Sequence, residues 1–309
     1  MKKFITNLFL FCIPVIIYCI ATGLLIPSLL SLQHGPSTKQ QITHSFKNAI
    51  SREYELLILG NSKPYRGLNP DQFTLPTFNF AHDADSYNQM YYKLRFLFER
   101  GKSIKYLILG VDYFQFSHKV DKRNYVYSDF LGDDYIRDFT TGNLLFQKIK
   151  YKTKYFISNM HPKNLLLLEL KFKNNKPFLC ENGQYLYHVA HENGIIERDK
   201  NRLDFQIRYF QKIIDLCKSK NIKILIIMPP LRSNELNLYT KSEIEEFDLF
   251  IREYTDNNNN NNILYLNYST SRDFSSEDFA DVTHLNESGA NKFSKIVDKD
   301  LLNLIVEVQ

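Results

Sequence analysis

The chain has no tryptophan and only four cysteines in 309 residues. No Cys-x-x-Cys pair and no close Cys/His cluster occurs, so the usual sequence signature of a thiolate–imidazole metal site is missing. His188 and His191 share an HxxH spacing, which reads as a local loop feature. Cys12 and Cys19 lie in an apolar stretch and read as filler. Cys180 and Cys217 leave two readings open: a disulfide formed in an oxidising compartment, or ordinary thiols, with Cys217 buried on a helix. No nucleic-acid-binding motif accompanies the modest net charge of +5, which argues against nucleic acid as a partner. Internal repeats are absent too. Aromatic material is not short, because 20 Tyr and 24 Phe stand in for the missing Trp. With 44% apolar and 24% charged residues, the composition is that of a globular chain rather than a disordered one.

Charge is missing most conspicuously between Lys3 and Lys39, where no Asp, Glu, Lys or Arg appears. Phe4 to Leu32 is almost wholly apolar, interrupted by Pro14, Gly23 and Pro27. A bilayer core needs about 20 such residues. The stretch is also longer than the apolar region of a cleaved signal, and no small-residue cleavage site follows it. Residues 1–32 are therefore expected to be a transmembrane signal anchor. Lys2 and Lys3 favour a cytoplasmic N-terminus and an extracytoplasmic globular part. Lys39, Lys47 and Arg52 beyond the span weaken that bias. The positive charge elsewhere is uneven: Lys148 to Lys176 carries eight lysines against one acid, Glu169. Such a run reads as a solvated face or as a contact for anionic lipid headgroups or an acidic glycan.

Residues 33–52 read as a polar linker. Beyond them, apolar strands are expected at Glu55–Leu59, Thr77–Phe80, Ile104–Gly110, Ile222–Met228 and Ile263–Asn267. Helices are expected at Tyr87–Arg100, Leu203–Lys220, Lys241–Tyr254 and from Glu287 to about Leu304. Near-continuous apolar strands alternating with helices predict an α/β domain, residues 53–309, with a parallel sheet covered on both faces. The aromatic and basic stretch from about 117 to 200, which includes Leu165–Leu168, reads as an insertion. The asparagine run Asn257–Asn262 reads as a surface loop.

In such a sheet, ligands bind beyond the carboxyl ends of the strands. Ser62 follows the first strand, Asp83, Asp85 and Ser86 the second, and Asp112 the third. Pro229, Pro230 and Arg232 follow the fourth, and Asp281 with His284 lie after the fifth. The polar candidates thus converge on one rim. Ser62 can serve as nucleophile, His284 as its base, and Asp281 as the carboxylate that orients the imidazole. The backbone N–H of Ser62 or Lys63 can bind an oxyanion. Asn286 is a good N-cap for the helix after this loop.

Leu59-Gly60-Asn61-Ser62 and Asp281-Val282-Thr283-His284 resemble the first and last sequence blocks of the SGNH (GDSL-like) hydrolase superfamily. The resemblance implies a flavodoxin-like three-layer sandwich and esterase or acyltransferase chemistry without a cofactor or metal, with Ser62, His284 and Asp281 catalytic. Asn61 stands where an Asp is more usual. Phe78-Asn79-Phe80-Ala81 through Ser86 takes the place of the second block, and Leu107 to Asp112 that of the third. Those blocks bring in Asn61, Lys63, Ala84, Asp85 and Asp112 as oxyanion or substrate-binding candidates. Asp83-Ala84-Asp85 replaces an expected glycine, however, and Asp112 replaces an asparagine. A carboxylate donates no hydrogen bond unless protonated. The layout looks most like the membrane-anchored branch that includes polysaccharide O-acetyltransferases and relatives of the teichoic-acid D-alanyl-transfer protein. It implies a surface glycan and an acyl donor as partners, and a membrane-bound O-acyltransferase beside it. A non-catalytic scaffold or glycan-binding subunit is the alternative that the departures leave open.

Overall fold

The computed structural model describes residues 2–21, 37–120, 122–159, 178–186, 201–256 and 262–306. Residues 22–32 of the expected span, Leu165–Leu168, His188, His191 and most of the asparagine run lie outside the described residues.

The first elements in chain order are α1 (Lys2–Ile20), α2 (Thr38–Ser51), β1 (Leu56–Leu59), α3 (Ser62–Gly67), β2 (Thr77–Asn79), α4 (Tyr87–Phe98) and β3 (Tyr106–Gly110). Next come α5 (Asn124–Tyr127), α6 (Gly132–Phe139), α7 (Leu144–Asn159), β4 (Phe178–Leu179) and β5 (Tyr185–Leu186). The chain closes with α8 (Asp204–Ser219), β6 (Lys223–Met228), α9 (Ser233–Leu236), α10 (Lys241–Asp256), β7 (Ile263–Asn267) and α11 (Glu287–Val306). The polypeptide forms two compact units. One comprises Met1–Thr43 with Lys122–Lys176, and the other His44–Asp121 with Pro177–Gln309.

The second unit is built on a parallel five-stranded sheet in the order β2-β1-β3-β6-β7. Counting only these strands, the order is 2-1-3-4-5, that of flavodoxin-like doubly wound sheets. Central strands of such a sheet bury both faces, which is why β1 reads Leu-Leu-Ile-Leu with every residue buried. Successive side chains alternate between the faces. Leu56, Ile58, Ile108, Leu225 and Ile227 join Ala290, Phe293, Val297 and Leu301 of α11 in one apolar cluster. On the opposite side, α4 packs against α8, and α8 lies on β6. Tyr87 of α4, Phe210 of α8 and Phe247 of α10 interlock there with Phe116 from the turn after β3. The result is a three-layer α/β sandwich.

The expected strands and the four expected helices are all present within a few residues. The expected linker differs, because Thr38–Ser51 is helical. Phe46 on that helix packs edge-on against Phe80 and Phe96, and that burial makes the segment structural. The expected insertion is also divided. Lys122–Lys176 belongs to the first unit, whereas the β4–β5 hairpin is part of the sheet unit.

Candidate active site

The site begins where β1 ends. Gly60 and Gly110 terminate β1 and β3, and Pro64 in the first turn of α3 lies against both. A Cβ on Gly60 would fall 2.5 Å from Pro64 Cγ, and one on Gly110 would meet the same atom. The glycines therefore let α3 start directly on the strand ends. That placement sets Ser62 at the first helical position, partly exposed on the rim.

Asn61 is the N-cap of α3, and its Oδ1 accepts the Lys63 N–H at 3.0 Å. The Ser62 N–H has no acceptor among the described residues, as expected for the first N–H of a helix.

His284 comes from the loop before α11. Asp281 shapes that loop, because its Oδ1 accepts the backbone N–H of Thr283 and of His284, each at 2.8 Å. Asn286 caps α11 by accepting from Gly289 N–H at 2.9 Å. A backbone bond from Ala280 to the His284 carbonyl, 2.8 Å, closes the loop from the other side. The loop holds His284 Nδ1 2.8 Å from Asp281 Oδ2 and Nε2 2.8 Å from Ser62 Oγ. With the Nδ1 proton donated to the carboxylate, Nε2 has its lone pair free to accept the Ser62 hydroxyl proton. The side chains of His284 and Asp281 are 15% and 14% exposed, so the chain of bonds opens to solvent at the rim.

Electrostatics favour the neutral imidazole. Burial first, and then the nearby Arg66 charge, holds the His284 pKa below the ordinary 6.5 against the opposing pull of Asp281. Burial alone would raise the Asp281 pKa, but the bond and charge of His284 and two backbone N–H groups take it far below the usual carboxylate range. At neutral pH the pair is a neutral imidazole on an ionised carboxylate.

The other candidates of the sequence divide sharply. Asp112 is fully buried, and Lys63 Nζ lies 2.8 Å from its Oδ2 and 2.9 Å from Glu235 Oε1 of α9. The Lys63 ammonium is kept charged because its two carboxylate partners outweigh the burial that would discharge it. Asp85 is likewise buried and takes a 2.6 Å bond from Lys93. Asn61 turns its Nδ2 inward toward Asp112 and Gln115, 3.5 Å from each. The side chains of Asn61, Lys63, Asp85 and Asp112 thus form a buried polar frame beneath the site. The Lys63 N–H is also spent on Asn61, which removes it as an oxyanion donor.

Ala84 behaves differently. It is partly exposed, takes a left-handed φ of +50°, and its N–H has no acceptor among the described residues. That conformation is uncommon without glycine.

Three neighbours were not among the sequence candidates. Arg66, on the turn of α3 after Ser62, donates from Nη2 to both carboxylate oxygens of Asp83 at 3.0 and 3.2 Å, and its Nη1 lies 3.4 Å from His284 Nδ1. Tyr65 stacks between His82 and Tyr185 of the β4–β5 hairpin. The hairpin is held there by Gln184, which donates to the Arg66 carbonyl at 3.0 Å. Only the position of Arg66 four residues after Ser62, on the same helical face, could have pointed to any of them.

Cys180 and Cys217 are free thiols, pushed up by burial to about 11 and about 12 respectively. Neither has the lowered pKa of a reactive cysteine. Among the described residues, no group of three or more His, Cys, Asp or Glu could hold a metal ion.

One model of an uncharacterised protein family matches residues 170–306, a span that contains Asp281 and His284 but not Ser62. No curated protein matches the chain.

Proposed function

We propose that this chain is an SGNH-type serine acyltransferase or esterase, anchored in the membrane with its α/β domain outside. Its substrates would be acyl groups, O-acetyl foremost, on a bacterial cell-surface polysaccharide. The observation that carries the reading is the continuous Asp281–His284–Ser62 hydrogen-bond chain at the carboxyl rim of the sheet. As Ser62 Oγ adds to the acyl carbonyl carbon, His284 Nε2 takes its proton. The carbonyl oxygen becomes an oxyanion, and the free N–H groups of Ser62 and Ala84 are the donors to receive it. Collapse of the adduct breaks the bond to the leaving oxygen, which recovers the proton from His284 and leaves acyl-Ser62. A sugar hydroxyl or water then gives its proton to His284, attacks the acyl carbon and frees Ser62.

The membrane reading is supported by α1. This helix is long and apolar enough to cross a membrane, with mean hydropathy 2.0, and a signal sequence has the same character. An anchor favours an acyl donor handled at the membrane, and hence transfer to a glycan over hydrolysis, with a membrane-bound O-acyltransferase as the natural supplier. The glycan substrate rests on the resemblance of the two motifs. A second reading, a non-catalytic scaffold or glycan-binding subunit, is favoured by one observation: Asp112 offers no side-chain donor where the resemblance expects one.

Cells depleted of the chain and complemented with wild type or Ser62→Ala separate the two. Loss of base-labile acyl groups from the purified surface polysaccharide in the variant, at unchanged protein level, is the expected result. Full acylation by Ser62→Ala would leave the scaffold reading standing.

A further inference from the structure

The first unit contains a helix whose two faces have opposite fates. On one side of α7, Tyr151 is buried, its hydroxyl accepting from Asn124 Nδ2 at 3.2 Å, and Tyr155 stacks on Tyr125 at 4.3 Å. These contacts fasten α7 to α5. On the other side Leu145, Phe146, Ile149 and Ile157 are 67%, 64%, 54% and 60% exposed. On a 3.6-residue helix these four fall within an arc of about 120°, facing away from the tyrosines. Clustered exposed apolar residues of this size mark a contact surface rather than ordinary scatter.

The borders of the stripe say what it contacts. Lys150 and Lys154 are exposed along one edge, and neither forms an ion pair among the described residues. Lys152, on the other edge, pairs with Asp129. An apolar stripe edged by lysines is the pattern of a helix lying in a membrane interface, with the apolar side chains among the acyl chains and the ammonium groups among anionic headgroups. The same compact unit contains α1, which brings a bilayer within reach.

We propose that the exposed face of α7 docks on an anionic lipid surface, making it a second membrane contact beside α1. This inference does not depend on the chemistry at Ser62.

The absence of tryptophan from the chain makes the test direct. Phe146→Trp and, separately, Ile157→Trp introduce a single fluorophore at each end of the stripe. The full chain is reconstituted into vesicles of phosphatidylcholine alone or mixed equally with phosphatidylglycerol, with plain or brominated acyl chains. Blue-shifted emission, quenched several-fold more by brominated lipid when phosphatidylglycerol is present, is expected for both variants. Adding Lys150→Glu and Lys154→Glu should abolish that difference. Emission typical of water and unquenched in every vesicle would overturn the proposal. Equal quenching in both lipid compositions would overturn its assignment to anionic lipid.

Discussion

Among the described serines, Ser62 alone has both a base at 2.8 Å and an unoccupied backbone N–H of its own at a helix start. Because burial and Arg66 keep the His284 pKa low, the base is ready at neutral pH and is lost only when acid protonates it. The rate of Ser62 acylation should therefore rise with pH through a midpoint below 6.5, and stopped-time labelling across a pH series checks this. Asp281→Asn removes the carboxylate that fixes the Nδ1–H tautomer, and a loss of about 10⁴-fold in turnover is expected by analogy with other such sites. Lys63→Met leaves Asp112 and Glu235 buried without their cation. Breaking a buried pair this way costs about 3–5 kcal/mol, measurable as a lowered midpoint of urea unfolding. At this scale the sequence was legible only in part. A position just past a strand says which rim a residue joins. Whether it faces solvent or core is decided by partners such as Lys93 or Glu235, the latter 172 residues from Lys63.

Among the elements, the α3 start is the one on which the geometry depends, because Pro64 sits in the space two glycines leave at the ends of β1 and β3. Gly110→Ala drives a methyl into the Pro64 ring. A stability loss of about 1–3 kcal/mol is expected from such overpacking. Labelling of Ser62 should fall further than stability does, since the displaced element carries the nucleophile; thermal melts run beside labelling would show it. The strands were readable because each is an unbroken apolar run bounded by polar turns, and the helices because their apolar residues recur at helical spacing. The α2 helix was not, since its polar composition hides a short buried stripe of Ser45, Phe46 and Ala49. The β4–β5 hairpin escaped for a different reason. Its strands are two residues each, and its place beside α3 is set by Gln184 and Tyr185 meeting residues more than a hundred positions earlier.

At the scale of the whole molecule, the proposed function gives the address to α1 and the chemistry to the sheet unit. If α1 stays attached, the intact chain should remain with membranes through an alkaline carbonate wash, and N-terminal sequencing should begin at or near Met1. Recovery of a soluble chain beginning beyond the apolar stretch would show a cleaved signal instead. The central claim is that Ser62 is an activated nucleophile, and covalent labelling of the reconstituted full chain by a fluorophosphonate probe tests it most directly. Labelling confined to Ser62 in wild type, and lost in both Ser62→Ala and His284→Ala, is the expected result. A wild-type chain that stays unlabelled while its α/β unit is folded would contradict it.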